Sequence, residues 1–105
     1  MVEIEQGSGN VYADLGHSHA ETMLVKAQLA SKIGEIIRDR NLTQKEAALI
    51  LGVPQPKLSN LLRGQFRGIS EEKMLECLTR LGRNIQIVVG PDQEFHGQVE
   101  VVFAG

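Results

Sequence analysis

From about Ala20, apolar side chains recur three and four residues apart. Met23, Ala27, Ala30, Gly34 and Ile37 form one row, and Leu29, Ile33 and Ile36 form its neighbour. That period predicts a helix with a broad buried face, with Lys26, Lys32, Glu35 and Asp39 largely outside it. The pattern stops at "RDRN", where Asn41 suits a left-handed C-terminal position. Thr43 then precedes Glu46 by three residues, the spacing of a capping box, so a second helix is expected to carry Ala47, Ala48, Ile50 and Leu51 inward and to end at Gly52. Pro54 and Pro56 lack amide hydrogens that a first helical turn would leave unused, so they mark the start of a third helix. Its inward stripe is Leu58, Leu61 and Leu62, and Gly64 closes it. Ser70 caps a fourth, "EEKMLECLTRLG", with Met74, Leu75, Leu78 and Leu81 inward and Glu71 and Glu72 at the N-terminal dipole.

After Arg83 the period changes to two. Ile85, Ile87 and Val89 fall on one face of "NIQIVVG", and Val99, Val101 and Phe103 on one face of "GQVEVVF", which predicts two short strands. Two strands alone are marginally stable, so these six residues are the expected dimer interface. Residues 1–19 show no sustained period and are expected to be a flexible arm, docked at most through Val11, Tyr12 and Leu15. The resulting division is an arm over 1–19, a helical domain over 20–83 and a dimerising segment over 84–105. The fold class is mainly α, with two C-terminal β-strands.

The chemistry lies where two short helices meet. Gln55, Lys57, Ser59, Asn60 and Arg63 fall mostly on the outward side of the third helix, a polar and positive face. A short helix set across another can enter the DNA major groove with its N-terminal residues at base edges. Ala48 suits such a crossing because a larger side chain would push the helices apart.

"TQKEAALILGVPQPKLSNLLRG" resembles the helix-turn-helix of the Xre family, the lambda-repressor/Cro type, and residues 20–83 resemble its helical bundle more loosely. Gln44 matches the first-position glutamine, Ala48 the small residue, Gly52 and Val53 the turn, and Leu58 and Leu61 the buried pair. Pro54 and Pro56 depart from the pattern, standing where polar residues are common. The resemblance implies that Gln55, Ser59 and Asn60 face bases; Gln44, Lys45, Lys57, Arg63 and Arg67 are then expected to face phosphates. With "NVYADLG" upstream and the tail, the whole chain is similar to HigA-type antitoxin-like regulators. That similarity implies a dimeric repressor on a palindromic double-stranded operator, with a RelE-like toxin as a possible partner. The competing expectation is a protein-interaction module that neutralises a toxin without DNA.

Charge changes this picture little once its distribution is seen. The net charge is −2, but residues 38–83 hold nine bases against five acids, +4, leaving two bases against eight acids elsewhere. A chain of 105 residues leaves room for a modest core and no large buried active site. Cys77, the single cysteine, has no arranged base and is expected to be a helix packing residue. His17, His19 and His96 lack metal-ligand spacing, so no metal, cofactor or catalysis is expected. No leader or 18-residue apolar run appears, and a cytoplasmic, membrane-free protein is expected.

Overall fold

A computed structural model describes residues 19–104 of the chain. Residues 1–18 of the expected arm, with Val11, Tyr12, Leu15 and His17, lie outside them, and its last residue, His19, opens the first helix. Four helices follow in order: α1 His19–Asp39, α2 Gln44–Leu51, α3 Gln55–Leu62 and α4 Glu71–Arg80. α1 packs along α4 and against α3, while α2 packs against both α3 and α4.

Helix ends follow local chemistry closely. Thr43 Oγ1 accepts from the Glu46 amide at 3.1 Å and the Glu46 carboxylate accepts from the Thr43 amide at 2.8 Å, completing the capping box. Ser70 Oγ accepts from the Lys73 amide. All four helices close in the same way, with one left-handed residue just past the end: Asn41, Gly52, Gly64 and Gly82. The amide after each bonds back to the carbonyl five residues earlier, as in Val53 to Ala48 at 3.2 Å, so final-turn carbonyls are satisfied and the chain reverses sharply.

The core joins all four helices. Ile33, Ile36, Leu51, Leu58, Met74 and Cys77 are essentially without exposure, and complete burial of such a side chain contributes roughly 1.5–3 kcal/mol. Phe66 and Ile69 anchor the loop between α3 and α4 by burying into this core, which periodicity could not show because they stand outside any helix. Lys26 is also buried, contrary to the expectation that it lies outside the apolar rows. It stands four residues before Ala30 and seven before Ile33, on the same ladder.

The expected C-terminal strands are not formed. Among the described residues there is no strand, and past Arg83 no backbone–backbone hydrogen bond. Residues 84–104 run as non-helical chain, so the fold is all-α rather than α with two strands. Alternation reports only that one side of a chain faces apolar surroundings; it does not supply a pairing partner. Val101 packs partly against the helical core, and Val99 and Phe103 are less exposed than Val102. Phe103 lies under the Lys32 ammonium, 4.9 Å from ring centroid to Nζ, a cation–π contact. The helices therefore provide the apolar side of the tail. Ile85 is partly covered, at 38% exposure, while Ile87 and Val89 are 80% and 90% exposed.

Candidate nucleic-acid interface

Three residues, Gly52 to Pro54, join α2 to α3. Gly52 holds φ +68°, and the Arg80 guanidinium of α4 packs against it: a Cβ there would stand 2.9 Å from Nη1. Arg80 is itself tied to Glu76, which also pairs with Lys73 at 2.8 Å. These two bonds, with that to Lys73 the larger influence, hold the Glu76 carboxyl below its ordinary pKa. The angle between the two short helices is thus backed from behind by α4, through Arg80, a residue whose role in the turn no local pattern disclosed.

With Leu58 and Leu61 buried, the opposite side of α3 faces solvent. Gln44, the first residue of α2, meets Gln55, Pro56 and Ser59 at a shallow surface depression. The structure therefore brings together the first-position glutamine and two of the three expected base-facing residues. Asn60, the third, is exposed on the same helix and bonds to Arg63, whose Nη2 donates to Asn60 Oδ1 at 2.5 Å. Pro54 leaves α3 without a side-chain cap; its carbonyl instead accepts from the Lys57 and Leu58 amides.

Lys45, Lys57, Arg63 and Arg67 are all exposed. None of them pairs with a carboxylate among the described residues, in contrast to Lys32, Lys73 and Arg80. Such unpaired cations around a polar helix face are free to meet an anionic partner. Arg67 is held out on the loop whose flanking Phe66 is buried.

Cys77 is buried, and burial pushes its thiol pKa up, which leaves it a poor nucleophile. Among the described residues no group of three potential ligands could hold a metal.

A helix-turn-helix domain family matches residues 11–90 of the chain. A solved structure described as an XRE family transcriptional regulator is 31% identical, with a TM-score of 0.75, covering 83% of this chain and all of that one. The chain belongs to the XRE helix-turn-helix family. Among curated proteins there is no significant match. As a member of that family of DNA-binding transcriptional regulators, this XRE-type chain carries its paired short helices in α2 and α3. None of the helices described is long and apolar enough to cross a membrane.

Proposed function

We propose that this XRE-family chain is a cytoplasmic, sequence-specific repressor that binds a palindromic operator as a homodimer. The observation that carries the proposal is the solvent-facing side of α3. It sets Gln55 and Ser59 beside Gln44 of α2, carries Asn60 exposed on the same helix, and is surrounded by cations with no carboxylate partner. Gln55, Ser59 and Asn60 face bases; Gln44, Lys45, Lys57 and Arg67 contact phosphates, and positioning and reading are thereby divided.

A second observation supports a protein partner. Eight of the ten exposed large apolar side chains among the described residues lie between 85 and 103. A standard interface takes about 800 Å² from each partner, most readily from such a concentration of exposed apolar side chains. We assign this surface, with Ile85, Ile87, Val89, Val99 and Phe103, to a second copy, which would hold two α3 helices about one DNA turn, roughly 34–36 Å, apart; Val101, packed partly against the helical core, anchors it from beneath. The same surface is available to a RelE-like toxin if the protein serves as an antitoxin, and a purely toxin-neutralising module would use it without DNA.

Selection of genomic fragments followed by footprinting tests the proposal. The expected result is a palindromic site whose affinity falls as salt rises, since bound cations release counterions. Lys57→Ala should weaken specific and nonspecific DNA alike, whereas Gln55→Ala should lose about 1–3 kcal/mol of discrimination at the base pair it faces. Failure to enrich any sequence, or an affinity indifferent to salt, would overturn the proposal.

A further inference from the structure

The bond between Arg63 and Asn60 changes what α3 can recognise. At about 100° per residue, and carrying that step on to Arg63, the C-cap residue just past the end of α3, Gln55, Ser59, Arg63, Pro56, Asn60 and Lys57 succeed one another around roughly 200° of the helix. Arg63 therefore lies between Ser59 and Asn60, inside the outward face rather than on its flank. Its Nη2 donates to Asn60 Oδ1, and no carboxylate among the described residues competes for the guanidinium. The contact fixes the amide of Asn60: its carbonyl is turned toward Arg63, and its NH₂ group is left to reach outward. Beside it stand the remaining guanidinium N–H groups, which cannot accept. The two side chains together present donors.

A free asparagine reads adenine by accepting from N6 while donating to N7, which requires its carbonyl. A donor-only pair suits an edge made of acceptors alone. Guanine offers two of these in the major groove, O6 and N7; thymine offers only O4 beside its C5-methyl, and adenine and cytosine both present an amino group that would face another donor. We infer that Asn60 and Arg63 act as one unit that selects guanine at the base pair facing the C-terminal half of α3, with Arg63 setting the specificity of Asn60 as well as adding charge. The inference rests on the DNA-binding reading of α3 and goes beyond it by naming the base and the residue that decides it.

The experiment uses the full chain and the operator recovered by selection. Binding is measured to that site and to variants carrying each base at every position of the half-site, for wild type, Arg63→Ala, Arg63→Lys and Asn60→Asp. In wild type, replacing the guanine should cost on the order of tenfold or more in affinity. Arg63→Ala, by freeing the amide to turn over, should erase most of the guanine-over-adenine preference at that one position. The preference facing Gln55 should remain, which also shows that the variant folds. Asn60→Asp keeps an acceptor for Arg63 but loses both amide donors, and should lose guanine preference too. Arg63→Lys retains a donor to the carbonyl and should retain part of it.

Three results would overturn the inference. One is an Arg63→Ala protein weakened by the same factor on every sequence, the behaviour of a phosphate contact. Another is an operator with adenine at the position that Asn60 reads. If no sequence is selected at all, the DNA-binding proposal falls together with this one; the first two results leave that proposal standing.

Discussion

Individual residues at the helix starts act through hydrogen bonds that short sequence spacing is enough to specify. Thr43 and Glu46 satisfy each other's backbone amides at the entrance to α2, and the amide of Thr43, followed by its side chain, lowers the pKa of Glu46 from its ordinary 4.5. A carboxyl with a depressed folded value stabilises the fold above its unfolded pKa and ceases to do so as pH falls through the folded one. Glu46→Gln should accordingly be less stable than wild type above about pH 4.5, and the two should converge as pH falls below that value. Thr43→Ala should cost about 1 kcal/mol at neutral pH. Thermal melts followed by circular dichroism across this range check both, and a Glu46→Gln deficit that grows on acidification would reverse the assigned sign.

For the elements, the turn between α2 and α3 is the sensitive point, because the relative placement of two eight-residue helices depends on it. Gly52→Ala meets two penalties. A Cβ at φ +68° is strained, and it must displace the Arg80 guanidinium at 2.9 Å. Gly64 sits at φ +84° with nothing within 4 Å of such a Cβ, so Gly64→Ala bears the backbone strain alone. Each should lose about 1–2 kcal/mol from the left-handed backbone. The end of a flexible arginine moves cheaply, so the two variants should differ little in stability but clearly in DNA affinity, since only Gly52→Ala disturbs the brace behind the turn. Chemical denaturation beside operator titration distinguishes them; equal DNA affinities would show that Arg80 has no part in setting the helices.

At the scale of the whole molecule, the tail is the part whose role depends on a partner. Deletion of residues 84–105 should leave the four-helix core folded, because among the core side chains only Val101, itself partly exposed, belongs to the removed segment. The truncated protein should sediment as a monomer and bind a half-site weakly, without cooperativity on the full operator. A folded truncation that remains dimeric in analytical ultracentrifugation would move the interface to the helices or the N-terminal arm. Much of this molecule was legible in its sequence. The helices from Leu29 to Leu81, their caps and their stops depend on contacts within about five residues, and spacing records those directly. The polar face of α3 was legible for the same reason, since three leucines at helical intervals assign the remaining residues outward. What periodicity could not resolve was anything set by a distant neighbour. Arg80 behind Gly52, Arg40 donating to the Leu81 carbonyl, and Phe66 filling the core all join residues far apart in the chain or outside any repeat. The tail shows the limit most clearly: Val99, Val101 and Phe103 alternate as a strand would, yet a ladder needs backbone donors and acceptors from another segment, and here the helices supplied an apolar surface instead.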